Sequence, residues 1–194
     1  YQVSLSEMTE FLKNPFIAIG SKKNLVLNYE LVEKAVQKFS GQQTLVISML
    51  GVARMGKSTF INGFISHLLE RNYDLVKTSS GIDHCTTGID LIAFRYEELI
   101  LVILDCQGLQ YEDSANDVKF LSVVYGLSNI IVYHDNLITN QTLNSLTPLA
   151  LVADRIKKGK FMEKKERPLL LFRMKDYTLD GSPKEVMAKT FAPQ

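Results

Sequence analysis

Apolar positions along the chain follow two alternating patterns. Short, nearly continuous apolar runs are typical of strands that are covered on both faces of a sheet. Between these runs, apolar residues recur at spacings of three and four, which predicts amphipathic helices. We therefore predict strands at residues 44–50, 89–94, 99–104, 129–133 and 169–172, and helices at residues 28–39, 57–70, 117–125 and 141–157.

The order of these elements predicts the fold class. Strands that alternate with helices form a mainly parallel central sheet with helices on both faces, an α/β fold. The turn at Tyr96 and Glu97 joins two successive strands into a hairpin, so one antiparallel strand at the sheet edge is expected. Pro148 is expected to split the last helix, with Thr147 capping its second half. The composition suits a single domain over residues 1–194, which we expect to be a trimmed piece that continues past its C-terminal end.

Composition narrows the classes of function. The formal net charge is only +1, which argues against a dedicated nucleic-acid-binding protein, because phosphate-driven binding needs a clustered basic surface. No apolar stretch approaches the length of a membrane-spanning helix, and the N-terminus lacks the basic start and apolar centre of a signal peptide. Cys85 and Cys106 form neither a CxxC pair nor a disulfide framework, and we interpret them as small apolar fillers. A reduced, cytosolic location is therefore expected.

The segment GVARMGKSTF, residues 51–60, carries the clearest chemical signal. It matches the phosphate-loop pattern GxxxxGK[ST], in which backbone N–H groups surround the phosphates. Lys57 is predicted to neutralise the β and γ oxygens and the Ser58 hydroxyl to bind Mg²⁺, while the dipole of the following helix adds to the attraction. The predicted nucleotide contacts in this loop are Gly51, Ala53, Arg54, Met55, Gly56, Lys57, Ser58 and Thr59.

Two further segments are placed to sense the γ-phosphate. The sequence DCQG follows an apolar strand, and Asp105 is predicted to hold Mg²⁺ through water while Gly108 offers its N–H to the γ-phosphate. In HCTTGI, residues 84–89, Thr86 is the first candidate for a Mg²⁺ ligand and Thr87 the second. A polar turn and an ordinary strand start are the plain alternatives. The predicted metal ligands are Ser58, Thr86 and Asp105.

The choice of base is predicted from the last strand. The sequence LLLFRMKDY, residues 169–177, brings Asp176 to the C-terminal edge of the sheet, where ligands bind in open α/β folds. A carboxylate there can accept hydrogen bonds from N1–H and the exocyclic amine of guanine, a pair of donors that adenine lacks. GTP or GDP is therefore the expected nucleotide, and an ATP-hydrolysing enzyme is the alternative if Asp176 lies elsewhere. The predicted base-side contacts are Arg173, Lys175 and Asp176.

Together, GVARMGKSTF, TTGI, DCQGL and the late KDY resemble the GTPase domain of the atlastin and guanylate-binding protein group, in the dynamin superfamily of large GTPases. The resemblance runs from about Asn14 to about Leu179. It implies a P-loop GTPase fold that binds GTP, GDP and Mg²⁺. It also implies that Arg54 acts as an arginine finger in cis when two GTPase domains meet, an effect worth about 10³- to 10⁵-fold in rate. A solvated arginine is the plain alternative.

Several residues depart from the pattern of related GTPases. Leu109 stands where small GTPases have a water-orienting glutamine, and Gln107 cannot act as a general base but can orient water by hydrogen bonding. Lys175 replaces the arginine of the resembling family and lacks its flat, forked guanidinium. For His84, a water-placing role and a solvated role both stay open. The predicted catalytic residues are Arg54, Lys57, Thr86 and Gln107.

The sequence thus predicts a Mg²⁺-dependent GTPase that converts GTP to GDP and phosphate. Homodimerisation through the GTPase face is expected to drive membrane remodelling, by tethering or fusion as in atlastins, with membrane contact through segments absent from this chain. The expected location is the cytoplasm, including the cytosolic face of an internal membrane such as the endoplasmic reticulum. The alternative is a GTP- or GDP-binding scaffold that turns over little and serves as a dimerising interaction module. The basic segment 155–167 could contact an anionic membrane surface or partner, but its interspersed glutamates and glycine favour a solvated loop.

Overall fold

Seven strands and four helices build the described part of the chain. The structure is a computed structural model that describes residues 14–19, 25–52, 55–76, 88–108, 114–135, 140–158 and 167–174. Each helix and strand predicted from the apolar pattern is present, and two short strands precede them. In chain order the elements are β1 Asn14–Ile19, β2 Leu25–Leu27, α1 Tyr29–Phe39, β3 Gln43–Gly51, α2 Lys57–Leu68, β4 Ile89–Tyr96, β5 Leu99–Cys106, α3 Ser114–Leu127, β6 Ile130–Asp135, α4 Asn140–Lys158 and β7 Leu169–Met174.

The seven strands form one sheet in the order β2-β1-β4-β5-β3-β6-β7. Neighbouring strands from β5 to β7 are parallel, whereas β4 pairs antiparallel with β5. β1 and β2 then extend the sheet by two further antiparallel pairings. This arrangement confirms the predicted α/β class. The hairpin strand β4 nevertheless lies inside the sheet and not at its edge, because β1 covers its outer side.

Helices cover both faces of the sheet and create two cores. Helices α1, α3 and α4 contribute to the core on one face, and α2 contributes Ile61 and Ile65 to the core on the other. At the end of β3, Leu50 belongs to the first core and Met49 to the second, and both are almost fully buried. The chain therefore leaves β3 from a point that is packed on both sides.

Helix α1 begins at a side-chain cap that also ties it to β1. The Asn28 Oδ1 accepts a hydrogen bond from the N–H of Leu31 at 3.1 Å, and its Nδ2 donates to the carbonyl of Pro15 at 3.3 Å. The Asn28 N–H donates to the carbonyl of Phe16. Asparagine is a preferred N-cap residue, so this local signal explains why the predicted start of the helix is confirmed.

Pro148 lies inside α4, so the prediction that it splits this helix is wrong. Proline removes one N–H donor, which leaves the carbonyl of Asn144 without its helical partner. Asn144 is exposed, so water can satisfy that carbonyl, while Leu149 and Val152 are buried and hold the following turns against the sheet. None of the described helices, α4 included, is both long and apolar enough to cross a lipid bilayer.

Candidate functional site

The predicted phosphate loop leaves the middle of the sheet. β3 lies between β5 and β6 and ends at Gly51, and α2 begins at Lys57. Gly51 has a φ of 133°, and a Cβ atom there would lie 2.0 Å from the carbonyl oxygen of His134 on β6. Only glycine permits this φ and this close approach. Gly51 therefore fixes the point at which the loop departs from the sheet.

The loop joins α2 at Gly56, which has the left-handed φ of 78°. No side chain among the described residues caps the N-terminus of α2. The first turn is closed by the N–H of Phe60, which donates to the carbonyl of Gly56 at 2.9 Å. The uncapped N–H groups at this helix start carry partial positive charge and suit an anion.

Lys57 is buried, which is unusual for lysine. Its side chain packs under the loop, where Nζ donates to the carbonyl of Val52 at 3.0 Å and to that of Gly51 at 3.4 Å. Burial lowers the pKa of Lys57, and the negative charge of Asp105 partly offsets this effect. Because an ammonium group has three donors, the two carbonyl contacts do not exhaust its capacity to bind an anion.

Ser58 and Asp105 place two oxygen atoms that can bind a metal ion beside Lys57. The Ser58 Oγ donates to Oδ2 of Asp105 at 2.8 Å, and Asp105 is fully buried at the end of β5. Within the described ranges, no group of three or more His, Cys, Asp or Glu side chains is placed to hold a metal ion. Mg²⁺ needs no such group, since it uses one or two protein oxygens together with water and phosphate. The hydroxyl and the carboxylate therefore fit Mg²⁺.

Gln107 connects the segment after β5 to the start of β4. Its Oε1 accepts a hydrogen bond from the N–H of Gly88 at 3.0 Å, and its own N–H donates to the carbonyl of Gly88 at 2.8 Å. Gly108 follows and is partly buried. The amide oxygen that was predicted to orient water is thus bound to backbone, and the structure gives Gln107 a role in positioning Gly88.

Gly88 is a second position where only glycine fits. Its φ is 100°, and a Cβ atom there would lie 1.9 Å from the carbonyl oxygen of Ile17 on β1. We expect Gly88→Ala to lower the free energy of unfolding by about 2 to 4 kcal/mol, because it adds strain to a backbone clash. Urea denaturation measures this loss.

Gly63 in α2 provides the matched control, since no atom of the described residues outside its chain neighbours and its own helix backbone lies within 4 Å of a Cβ placed there. Gly63→Ala should leave the stability unchanged or raise it by up to about 1 kcal/mol, because alanine is the better helix former. A stability for Gly88→Ala within about 0.5 kcal/mol of the wild type would contradict the prediction.

The Asn62 side chain hydrogen-bonds to the backbone of the segment that follows α2. These hydrogen bonds were not predicted from the sequence. Its Oδ1 accepts hydrogen bonds from the N–H groups of Leu75 and Val76 at 3.0 and 2.9 Å, and its Nδ2 donates to the carbonyl of Val76. One turn later, Ser66 exchanges two hydrogen bonds with the backbone of Tyr73. The i, i+4 spacing puts both polar side chains on one face of α2. Two polar residues at this spacing in an otherwise apolar helix were the sequence signal that could have indicated these hydrogen bonds.

Arg173 lies in a cluster beside the phosphate loop. Its Nη1 lies 2.6 Å from Nε2 of the buried His134, and its Cζ lies 4.2 Å from the centroid of the Phe60 ring. The sequence had placed Arg173 among the base-side contacts. In the structure its guanidinium contacts side chains of β6 and α2, and contact with a base stays a prediction. Neither His134 nor Phe60 had been assigned to the site from the sequence.

The structure describes most of the predicted site residues. At the C-terminal ends of β3 and β5 it brings together Gly51, Gly56, Lys57, Ser58, Asp105, Gln107 and Gly108. Met55 is partly buried in the loop, and Thr59 is exposed on the first turn of α2. Outside the described residues lie Ala53, Arg54, His84, Thr86, Thr87, Leu109, Lys175 and Asp176, whose roles stay predictions.

The sequence matches the model of the guanylate-binding protein N-terminal domain over residues 22–180. No curated protein matches it by sequence. Among solved structures, it is similar to the Arl6 BBS3 small GTPase from Trypanosoma brucei with bound GppNp, at 18% identity and a TM-score of 0.40, over 76% of this chain and 77% of that chain. It is also similar to a bacterial selenocysteine-specific elongation factor, EF-Sec, at 14% identity and a TM-score of 0.38, over 68% of this chain and 25% of that chain. The chain thus spans about a quarter of the length of that elongation factor. Because the family model covers more than half of its residues, the chain belongs to the family of guanylate-binding protein N-terminal domains, and it is a GTPase domain.

Proposed function

We propose that this domain hydrolyses the β–γ bond of GTP with Mg²⁺, and that two copies dimerise through their nucleotide-binding faces to drive membrane remodelling by tethering or fusion. The observation that carries the catalytic part is the buried Lys57 next to the Ser58–Asp105 pair at the uncapped start of α2. Positive charge and metal-binding oxygens meet there at one point. Membership of the guanylate-binding protein family supports guanine as the base.

Phosphate binding in this proposal uses three sources of positive charge. The loop N–H groups and the start of α2 face the phosphates, and Lys57 lies beneath them. In the reaction, water attacks the γ-phosphorus, the bond to the bridging oxygen breaks, and GDP leaves with the electron pair. Lys57 offsets the negative charge that grows on the phosphate oxygens.

Ser58 and Asp105 would hold Mg²⁺, with Thr86 proposed as a third contributor. When bound with the nucleotide, the ion neutralises charge on the β- and γ-phosphate oxygens. Asp105 also orients the Ser58 hydroxyl by accepting its hydrogen bond. The carboxylate therefore supports the site both through its charge and through the position of Ser58.

Asp105→Asn is expected to raise the Mg²⁺ concentration needed for half-maximal GTP turnover by about 10- to 100-fold. The amide keeps the size of the side chain and an acceptor for Ser58, but it removes the negative charge. A Mg²⁺ titration of phosphate release measures the shift. Asp154→Asn is the control, because Asp154 lies on α4 in an ion pair with Lys158. An equal Mg²⁺ requirement in wild type and Asp105→Asn would contradict the assignment.

The proposed dimerisation rests on Arg54 and on the resemblance to atlastins. Arg54 lies three residues before Lys57 in the loop. A guanidinium that reaches the phosphates only when two domains meet makes turnover depend on protein concentration. Membrane remodelling, and a location at the cytosolic face of an internal membrane, are proposed from the same resemblance.

The test is the specific activity of GTP hydrolysis over a wide range of protein concentration. A rise in specific activity with concentration supports dimer-dependent chemistry. If GTP binds but turnover stays near background at every concentration, the mechanochemical proposal fails. That outcome would favour the scaffold, which binds guanine nucleotide and dimerises with little turnover.

A further inference from the structure

Arg173 connects the phosphate loop to the strand that leads to the base-side segment. We propose that Arg173 is a positioning residue for nucleotide binding, which acts through His134 and Phe60 to fix the phosphate loop relative to the end of β7. This proposal rests on the nucleotide site proposed above, and it gives Arg173 a role without direct contact to the base.

The first connection runs from Arg173 to the buried His134. A guanidinium group has donors only, and its Nη1 lies 2.6 Å from Nε2 and 3.4 Å from Nδ1 of the ring. The guanidinium therefore donates this hydrogen bond, and the imidazole ring accepts it. Because His134 is only 1% exposed, removal of the guanidinium takes a hydrogen bond away from a buried ring nitrogen.

The second connection runs from Arg173 to the first turn of α2. The guanidinium lies over the Phe60 ring at 4.2 Å, within the range of a cation–π interaction. Phe64 stacks against Phe60 with ring centroids 6.1 Å apart, so a second aromatic ring also contacts Phe60. The backbone N–H of Phe60 closes the turn onto Gly56, and this places the stack directly at the end of the loop.

Residues at both ends of the phosphate loop thus contact partners of Arg173. At the start, Gly51 is the β-sheet partner of His134 and lies against its carbonyl oxygen. At the end, Gly56 is bonded to the backbone of Phe60. Arg173 itself lies three residues before Asp176, the predicted guanine contact. One side chain therefore contacts residues next to the phosphate loop and lies on the strand that leads to the base-side segment.

Titration with GTP, GDP and ATP tests the proposal in four variants and one control. The variants are Arg173→Met, Arg173→Lys, Phe60→Leu and the double variant of Arg173→Met with Phe60→Leu. Arg173→Met should weaken GTP binding by about tenfold and reduce the preference for GTP over ATP. Arg173→Lys should fall between, because it keeps a charge over the ring but loses the flat fork. The double variant Arg173→Met with Phe60→Leu should bind GTP no more weakly than the worse single variant, because Phe60→Leu breaks a connection that Arg173→Met already breaks. In steady state, KM should rise more than kcat falls.

The control is Arg95→Met, which removes an exposed strand arginine that donates to Gln42 at 2.9 Å. It should bind GTP like the wild type. Equal GTP affinity in wild type and Arg173→Met, or strictly additive effects of Arg173→Met and Phe60→Leu in cooperatively folded protein, would overturn the inference. If Arg173→Met does not fold, Arg173→Lys and Phe60→Leu carry the same cycle. Failure of the wild type itself to bind GTP would instead refute the proposed function and the inference together.

Discussion

Lys57→Met is expected to abolish most GTP turnover while the protein stays folded. The substitution keeps the long apolar stem but removes the ammonium group that lies against the carbonyls of Gly51 and Val52. Loss of one preorganised donor at a developing phosphate charge costs about 10²- to 10³-fold in rate. The affinity for GTP should fall as well. Phosphate release and GTP titration measure the two losses separately.

In the absence of nucleotide, the stability of the same variant relative to the wild type should fall as the pH rises toward 10.5. Burial lowers the pKa of Lys57 in the folded state, so the unfolded chain holds this proton more tightly. The protonated group therefore costs stability at neutral pH, and this cost is lost only as the pH rises through the folded pKa toward the ordinary value of 10.5. Methionine removes the cost.

Lys34→Met is the matched control for Lys57→Met. Lys34 is exposed on α1 and pairs with Glu30 at 2.7 Å, so its loss should leave turnover near the wild-type value. Two results would contradict the assigned role of Lys57. One is wild-type turnover in Lys57→Met, and the other is an equal loss of turnover in Lys34→Met.

Arg54→Ala is expected to lower maximal GTP turnover by about 10³-fold or more and to remove its dependence on protein concentration. The physical reason is that a planar guanidinium binds two phosphate oxygens and offsets charge in the transition state. GTP affinity should change little, because the proposed contact forms only in the dimer. Specific activity at low and high protein concentration, with parallel GTP titration, measures the change.

Arg71→Ala provides the control, since Arg71 is exposed at the end of α2. It should keep both the rate and the concentration dependence of the wild type. If Arg54→Ala weakens GTP binding and turnover by the same factor at every concentration, Arg54 acts as an ordinary phosphate ligand and the dimer-dependent finger is refuted.

Local patterns explain what the sequence could predict. The helix predicted from Asn28 and the continuous apolar runs depend on residues close together in the chain, and the helix and strands are found where predicted. The phosphate-loop pattern is equally local, and a strand and a helix flank it as predicted. Ser58 and Asp105 were each predicted as Mg²⁺ ligands, and the parallel pairing of β3 and β5 explains why they lie within hydrogen-bond distance.

Contacts between distant parts of the chain explain what the sequence did not show. Arg173 meets Phe60 only because β6 lies between β3 and β7 in the sheet, and arginine in a strand gives no sign of its partner. Pro148 was misjudged because the burial of the turns beyond it outweighs one lost hydrogen bond. The role of Gln107 was predicted from the chemistry of its side chain alone. In the structure its amide oxygen accepts a hydrogen bond from the N–H of Gly88.

The central claim is a GTP-selective, Mg²⁺-dependent hydrolase built on the Gly51–Ser58 loop. The most direct measurement is phosphate release by the wild-type protein from GTP and from ATP, each with Mg²⁺ and with EDTA. We expect release from GTP only with Mg²⁺, and a rate with ATP at least about 100-fold lower at equal nucleotide concentration. Equal rates with GTP and ATP, or unchanged release from GTP in EDTA, would contradict it.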